Sequence, residues 1–287
     1  MFSSPMFRTP TLHTFVVAAF LATSGACLAT APSIASADAG TARSESWQDQ
    51  PALLKRFEER GMRGTFVVLD SQDRRWIAAD SKRAFQRFRP ASTFKIPNTL
   101  IALETGVARD DKQAFKWDGQ KRWVEDWNRD LDLTEAFRVS AVWAYQEIAR
   151  GVGSTRMQQA LRDFRYGNAA ITPKVDNFWL DGDLRISPVE QVEFLRRLDE
   201  GRLPLSARTL EIGRRVMLRE EKNGYRLYAK TGWDNNKPAI GWYVGWVERG
   251  ERRTWFALNV DMTSVDVAPK RELLVRQLLK ELGYLPD

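Results

Sequence analysis

The sequence contains a single histidine, His13, and a single cysteine, Cys27, among its 287 residues. Both lie in an N-terminal stretch with the pattern of a secretory signal peptide. It has a basic start without acidic residues, a largely apolar run over residues 12–28, and a small-x-small cleavage pattern that ends at Ala37. We therefore predict that residues 1–37 are removed and that the mature chain is exported to the periplasm.

Removal of this leader leaves a chain with neither histidine nor cysteine. Such a chain cannot build a Ser-His-Asp triad, a cysteine nucleophile, a histidine-ligated zinc site or a disulfide. A nucleophile in the mature chain therefore needs a base of another kind. Two alternatives for the leader stay open. An uncleaved membrane anchor would need a longer apolar run than one broken by Ser24 and Gly25, and Ser24 also argues against a lipid on Cys27.

Neither positive nor negative charge is concentrated in one part of the sequence. The chain has 44 Lys and Arg against 37 Asp and Glu, and basic residues alternate with acidic ones in segments such as residues 55–60 and 249–253. Nucleic-acid binding would need a basic stripe with interleaved aromatic residues, which we do not find. We expect these charges to be solvated, and we predict neither a nucleic-acid partner nor membrane association after removal of the leader.

The apolar pattern changes its period twice along the chain. From about residue 92 to 185 it follows the 3.6-residue period of helices, whereas alternating patterns on both sides indicate strands. The predicted strands are Gly64–Leu69, Arg75–Ala79, Leu227–Trp233, Ile240–Val247 and Trp255–Val260, and the clearest predicted helices are Pro51–Arg60, Phe94–Leu103 and Lys270–Leu282.

This order predicts an α/β fold of the α+β type, in which an antiparallel sheet is flanked by helices and both ends of the chain contribute strands to it. The mixed helix-and-sheet subdomain comprises residues 38–84 and 186–287. An inserted helical subdomain comprises residues 85–185.

Ser92 and Lys95 carry the first chemical signal. In a helix, residues three apart lie on the same face, so the hydroxyl and the amine would be neighbours in its first turn. A serine hydroxyl is a weak nucleophile until a base takes its proton, and a desolvated lysine can be that base. Taken alone the motif is weak, because a Ser-x-x-Lys pair also occurs by chance.

Two further elements follow in a set order. Ser140-Ala141-Val142 lies in the helical block, and Lys230-Thr231-Gly232 lies on a predicted strand, where Gly232 would let a substrate backbone come close. A Ser-x-x-Lys helix, a second serine and a Lys-Thr-Gly strand together would enclose a cleft.

This arrangement resembles the penicillin-recognising serine enzymes, and within them the class D, or oxacillinase-type, β-lactamases. Ser-x-Val replaces Ser-Asp-Asn, and three further motifs follow at fitting spacing: Tyr166-Gly167-Asn168, Phe178-Trp179-Leu180 and Trp242-Tyr243-Val244-Gly245. The resemblance extends from about Trp47 to the C-terminus. It implies the fold of the β-lactamases and transpeptidases, and β-lactams as substrates.

The resemblance also implies a modification of Lys95. In that family the active-site lysine reacts with carbon dioxide to give a carbamate, which acts as the general base, and no metal or other cofactor is expected. The reaction needs an uncharged amine and therefore an apolar site. Phe94, Val142 and Leu180 match the apolar neighbours, and Trp179 matches the residue whose indole N–H holds the carbamate. Simple core packing is the alternative for Trp179 and Val142.

The remaining roles follow from the same match. Backbone N–H groups of Ser92 and Trp233 would form the oxyanion hole. Ser140 would pass a proton to the leaving nitrogen, and Lys230 would direct its hydrogen bonding and add positive potential.

Thr231 and Arg271 would bind the substrate carboxylate. For Arg271, a solvated arginine at the start of a helix is the alternative. Tyr166-Gly167-Asn168 could equally be an ordinary turn, and Trp242–Gly245 is expected to be structural.

Two other functions share the acylation chemistry. A cell-wall transpeptidase or carboxypeptidase would form the acyl-enzyme without an efficient way to hydrolyse it, and Val142 with the Phe-Trp-Leu segment argues against this. A β-lactam-sensing receptor domain would carry several transmembrane helices and a cytoplasmic module, whereas this chain has a removable leader. A secreted serine β-lactamase is the function we predict.

Overall fold

The computed structural model describes residues 44–222 and 224–286. The predicted signal peptide, residues 1–37, lies outside the described residues, together with His13 and Cys27. Within the described part of the chain, no helix is long and apolar enough to cross a membrane.

Strands from both ends of the described chain form one central sheet. The strands are β1 (Ser46–Asp49), β2 (Gly64–Asp70), β3 (Arg75–Ala78), β4 (Ala114–Phe115), β5 (Leu131–Asp132), β6 (Leu218–Lys222), β7 (Tyr225–Asp234), β8 (Ile240–Arg249) and β9 (Arg252–Asp261). The seven-stranded sheet has the order β1-β3-β2-β9-β8-β7-β6, while β4 and β5 pair separately. All pairs in the large sheet are antiparallel except β1 with β3.

Helices cover both faces of this sheet. They are α1 (Leu54–Glu58), α2 (Ser81–Ala84), α3 (Lys95–Glu104), α4 (Leu133–Arg138), α5 (Val142–Val152), α6 (Ser154–Asp163), α7 (Pro188–Asp199), α8 (Ala207–Met217) and α9 (Val267–Glu281). Three short 3-10 helices occupy Pro51–Leu53, Ala91–Phe94 and Glu125–Trp127. Seven of the helices, α2 to α8, lie in the chain between β3 and β6, and this arrangement confirms the predicted fold class.

Strand β8 lies at the boundary of two apolar cores. Successive side chains of a strand point to opposite faces, so Trp242 and Trp246 enter one core and Tyr243 enters the other. Helices α3, α5 and α7 contribute to the first core, and α1 and α9 contribute to the second. The sheet therefore holds β7 and β8 rigidly between helical layers, and β7 carries the Lys-Thr-Gly motif.

The elements with clear periodicity were predicted well. The five predicted strands and the helices α3 and α9 lie within three residues of their predicted ends. The helix predicted over Pro51–Arg60 is divided into a 3-10 helix and α1, which ends at Glu58, and Gly61 follows with a φ of +64°.

Three features of the sheets were not predicted. The sequence analysis missed β1 and β6, the two edge strands, whose residues are largely exposed and so lack an apolar face. It also missed the β4–β5 pair within the helical block. Strands of two residues are too short to show alternation, so this block is not purely helical.

The charges of residues 249–253 differ in exposure. Arg249 and Glu251 are exposed, as expected for solvated charges, whereas the partly exposed Arg252 donates a 2.7 Å hydrogen bond from Nε to Asp70, whose carboxylate is fully buried. Arg253 Nε lies 3.4 Å from the nearly buried carboxylate of Glu248. The reason is that these arginines begin β9, a central strand, and they lie beside carboxylates that the sheet has removed from water.

Candidate active site

The turn that carries Ser92 brings it next to Lys95. Residues 91–94 form a 3-10 helix that continues into α3 at Lys95, so the two side chains are one turn apart. Lys95 Nζ donates a 2.9 Å hydrogen bond to Ser92 Oγ. Ser92 is half-buried and lines a cleft, whereas Lys95 has no exposed surface.

The environment of Lys95 favours its uncharged form. Burial alone lowers the pKa of Lys95 to about 7, because the ammonium ion loses its contact with water. The ring of Tyr145 lies 5.2 Å from Nζ. At neutral pH a large share of this side chain is therefore a free amine, which can accept a proton from the hydroxyl of Ser92.

A second serine and lysine meet across the cleft. Ser140 lies in the turn between α4 and α5 with a left-handed φ of +62°. Lys230, on β7, donates hydrogen bonds to Ser140 Oγ at 3.0 Å and to the carbonyl oxygen of Thr231 at 3.0 Å. The pKa of Lys230 is well below its usual value, first because of burial and then because of repulsion from Lys95 and other cations.

Arg271 lies at the start of α9 and is buried against β7 and β8. Its Nη1 donates to the carbonyl oxygens of Gly232 and Trp242, and its Nε donates to that of Ala268 at 3.0 Å. Burial lowers the pKa of Arg271 to about 10. Its hydrogen-bond partners among the described residues are neutral carbonyl groups, so the guanidinium forms no ion pair within this part of the chain.

The cleft has a volume of about 530 Å³. The predicted site residues on its surface are Ser92, Ser140, Val142, Leu180, Thr231, Trp233 and Arg271. The other predicted residues, Phe94, Lys95, Trp179 and Lys230, are buried and do not line the cleft.

An aromatic cluster packs behind the Ser92 turn. The ring of Trp179 stacks on Phe94 with 5.1 Å between ring centroids, and Phe178 meets both rings edge-on. The indole Nε1 of Trp179 is buried and has no hydrogen-bond partner among the described residues. A buried N–H group without an acceptor is costly, so this atom is suited to an acceptor group that binds there.

Asn236 connects two walls of the cleft. Its side-chain nitrogen donates to the carbonyl oxygen of Leu180 at 3.1 Å, to Asp181 Oδ1 at 3.1 Å and to Asp234 Oδ1 at 2.7 Å. No role was predicted for residues 234–236 from the sequence. These contacts tie the segment that carries Leu180 to the loop between β7 and β8.

The two motifs without a predicted chemical role have structural contacts. Trp242 Nε1 donates a 2.8 Å hydrogen bond to the carbonyl oxygen of Arg89, just before the Ser92 turn. Asn168 holds a turn through hydrogen bonds with the backbones of Asp183 and Arg185. Tyr166 is buried beside Phe94, with 5.9 Å between ring centroids.

Among residues 44–222 and 224–286, no group of three or more carboxylate, histidine or cysteine side chains converges as a metal site would require. The titratable side chains that line the cleft are Asp181, Asp234 and Arg271, and the buried Lys95 and Lys230 lie behind its surface.

Comparison with known proteins places this arrangement in a family. The model of the penicillin binding protein transpeptidase domain matches residues 64–280. The chain is 43% identical over 243 residues to β-lactamase OXA-48 of Klebsiella pneumoniae, and the alignment covers 84% of this chain and 92% of that protein. The chain belongs to the class D β-lactamases. These enzymes are hydrolases that act on the β-lactam amide, and the family prediction made from the motifs is confirmed.

Solved structures of class D β-lactamases have the same fold. The class D enzyme YbXI from Nostoc matches with a TM-score of 0.80 and 41% identity, covering 81% of this chain and 99% of that chain. FUS-1 (OXA-85) from Fusobacterium nucleatum subsp. polymorphum matches with a TM-score of 0.80 and 38% identity, covering 83% and 100%.

One wall of the cleft in this class D β-lactamase was missed by the sequence analysis. It is formed by the aromatic residues Trp123 and Trp127, whose ring centroids are 5.8 Å apart, together with Val124 and Val139. The side chain of Trp123 is unusual because it is 80% exposed. Two tryptophans four residues apart in a polar segment were the available signal, but the sequence does not distinguish an exposed ring from a buried one.

Proposed function

We propose that the chain hydrolyses β-lactams through an acyl-enzyme on Ser92, with Lys95 as the general base. The observation that carries this proposal is the 2.9 Å contact between Lys95 Nζ and Ser92 Oγ at a lysine whose burial lowers its pKa to about 7. A base with a pKa near the working pH combines a large basic fraction with a useful driving force for proton transfer.

In the acylation step, the Ser92 oxygen bonds to the β-lactam carbonyl carbon while its proton moves to the base. The bond between that carbon and the ring nitrogen then breaks, and the nitrogen takes a proton from the hydroxyl of Ser140. Lys230 Nζ, 3.0 Å from Ser140 Oγ, supports this transfer. Backbone N–H groups of Ser92 and Trp233 stabilise the oxyanion. The proton that the base took from Ser92 returns to Ser140, which restores both groups. Water then attacks the ester carbon and gives a proton to the base, which passes it to the departing Ser92 oxygen. The net reaction adds one water molecule across the amide.

Carboxylation of Lys95 by carbon dioxide is part of the proposal. Two features fit this modification: Lys95 is buried with a depressed pKa, and Trp179 Nε1 is a buried donor without an acceptor in the described chain. The modification would supply a carboxylate base beside Ser92. Val142 and Leu180 line the adjacent cleft and limit the approach of water.

Thr231 and Arg271 are proposed to bind the substrate carboxylate. Both line the cleft, and within the described part of the chain Arg271 donates hydrogen bonds only to carbonyl oxygens. A carboxylate would provide the missing negative charge. Export to the periplasm through residues 1–37 is proposed from the pattern of the leader alone.

Two measurements on the mature protein test this function. Wild type is mixed with a chromogenic cephalosporin to count turnovers, and intact mass is recorded after a short exposure to penicillin. We expect many turnovers per enzyme and a transient adduct, both absent in Ser92→Ala. The exposed Ser264→Ala should retain both. Adduct formation in Ser92→Ala would place the nucleophile elsewhere, and a stable adduct in wild type without turnover would favour a transpeptidase or a sensor.

A further inference from the structure

The turn before Ser92 contains a strained residue. Ala91 has a φ of +47°, a left-handed conformation in which the Cβ of an alanine crowds the backbone. Such a conformation persists only when its surroundings hold it. Two backbone hydrogen bonds contribute, from Ala91 N to the carbonyl of Trp179 at 3.1 Å and from Thr93 N to that of Pro90 at 3.1 Å.

A buried side-chain hydrogen bond also reaches this turn. Thr93, the residue after Ser92, donates its hydroxyl to the Pro90 carbonyl at 2.8 Å. The same hydroxyl accepts a 2.8 Å hydrogen bond from Gln191 Nε2, although Gln191 is 98 residues away in the chain. Both side chains have no exposed surface. The threonine hydroxyl therefore uses its donor and an acceptor position to connect the turn to α7.

The position of Gln191 is itself well defined. It lies at the fourth residue of α7, just after a capping box in which Ser187 and Glu190 exchange hydrogen bonds with each other's backbone. Tyr166, from the Tyr-Gly-Asn motif, lies beside Thr93 and Gln191. Burial raises the pKa of Tyr166, and the nearby side chains of Thr93 and Gln191 act in the opposite direction. The Tyr166 hydroxyl itself forms no hydrogen bond within the described residues.

A buried glutamine is a poor choice for simple packing. Removal of an amide from water is unfavourable unless its polar atoms find partners, and Gln191 Oε1 has none among the described residues. A methionine or leucine would fill the same space without that cost. On the other side of the turn, a Cβ at Gly232 would lie 3.0 Å from the Pro90 carbonyl oxygen. The turn is therefore enclosed between β7 and α7, and the polar contact fixes its position within that space.

We propose that Gln191 is a positioning residue for Ser92: its hydrogen bond to Thr93 holds the strained turn in the geometry that aligns Ser92 with Lys95. This inference rests on the proposed role of Ser92 as the nucleophile. Gln191 does not line the cleft. Its loss should therefore slow the formation of the acyl-enzyme while leaving the noncovalent binding of the substrate unchanged.

The test measures acylation directly. Stopped-flow mixing with a chromogenic cephalosporin gives the acylation rate constant and the dissociation constant of the noncovalent complex. Gln191→Met and Thr93→Val should each lower the rate constant by about 10- to 100-fold, since small displacements of reacting groups have effects of this size. The dissociation constant should change by less than about threefold, which is well below the expected change in the acylation rate constant. Thr93→Ser, which keeps the hydroxyl, should remain close to wild type.

The double variant and a packing control separate positioning from stability. If the loss of this one hydrogen bond causes the effect, the double variant Gln191→Met/Thr93→Val should have an acylation rate constant about equal to that of the slower single variant. Leu198→Ala, a buried change two turns further along α7, should lower the melting temperature without changing the acylation rate constant per active enzyme.

Wild-type acylation rates in Gln191→Met, or single effects that multiply in the double variant, would overturn the inference. If Gln191→Met does not fold, the comparison of Thr93→Val with Thr93→Ser still decides. Absence of acylation in wild type would instead contradict the proposed function.

Discussion

Lys230 Nζ lies 3.0 Å from Ser140 Oγ, although the two residues are 90 positions apart in the chain. This contact joins β7 to the turn before α5 across the cleft. Lys230 is buried among other cations, and repulsion from Lys95 and Arg271 adds to the burial that lowers its pKa. The charged form of Lys230 is therefore disfavoured in the free protein, and an anionic substrate nearby would favour it.

The first prediction concerns Arg271, which is proposed to bind the substrate carboxylate. Arg271→Ala should lose about 1.5 to 3 kcal/mol of transition-state stabilisation in kcat/KM, because a charge-assisted pair with the substrate carboxylate disappears. A substrate whose carboxylate is esterified should lose less. Lys270→Ala is the matched control, since Lys270 does not line the cleft. Equal losses for the acid and the ester would exclude carboxylate pairing by Arg271.

The second prediction concerns the buried indole N–H of Trp179. Trp179→Phe keeps an aromatic ring on Phe94 but removes the donor, so deacylation should fall by about 10- to 100-fold, the value of a hydrogen bond to a charged group. Acylation should fall much less, and the progress curve should show a burst and then a slow steady state. Trp246→Phe is a close control because Trp246 Nε1 is also buried without a partner in the described chain. Equal slowing of both steps would reduce Trp179 to a packing residue.

Sequence reasoning succeeded where the relevant contacts are local. Helix geometry alone places Lys95 near Ser92, because residues three apart share a face. The contact between Lys230 and Ser140 depends on how distant segments pack, and only the family resemblance suggested it. The hydrogen bond between Gln191 and Thr93 had no signal in the sequence, because a glutamine in an amphipathic helix is usually solvated.

Exposure was the other quantity that patterns could not supply. Tryptophan usually packs in a core, yet the side chain of Trp123 is 80% exposed. Its exposure depends on the loop around it, which the residue type does not reveal. Arg252 and Arg253 alternate with acidic residues as solvated charges do, yet the centre of the sheet brings them against buried carboxylates. Burial is a property of the whole fold, so local periodicity does not determine it.

The third prediction concerns stability. Arg214 bridges the carboxylates of Asp199 and Glu248, both nearly buried. Arg214→Met should lower the free energy of unfolding by about 3 kcal/mol at pH 7, because two buried charges lose their main partner. Arg253 stays within 3.7 Å of both carboxylates and limits the loss. The exposed Arg215→Met, which breaks surface pairs, should lose less than about 1 kcal/mol.

The loss in Arg214→Met should also depend on pH. Burial raises the pKa of Asp199 in the folded state, and the variant lacks the cation that opposes this shift. A carboxyl group with a raised pKa costs stability as the pH rises through that pKa. Urea unfolding should therefore show a smaller loss at pH 5 than at pH 7. A loss that is equal at both pH values would mean that packing, rather than buried charge, causes the effect.

The last prediction tests the proposed carboxylation of Lys95. Burial lowers the pKa of this amine to about 7, so the uncharged form decreases as the pH falls below that value. Carbon dioxide reacts only with the uncharged form, and acid returns the carbamate to amine and carbon dioxide. Activity should therefore fall in degassed buffer at about pH 6, where Lys95 is mostly protonated, and recover when bicarbonate is added at constant pH and ionic strength. Chloride serves as the control anion.

Lys95→Ala should acylate poorly, and any acyl-enzyme that it forms should persist, because the same group is needed to activate water. A simple amine base predicts equal rates with bicarbonate and with chloride. That result, after degassing has lowered the activity and together with an unmodified Lys95 in crystals grown at alkaline pH, would exclude the carbamate. The 2.9 Å contact between Lys95 and Ser92 would then leave the free amine as the base.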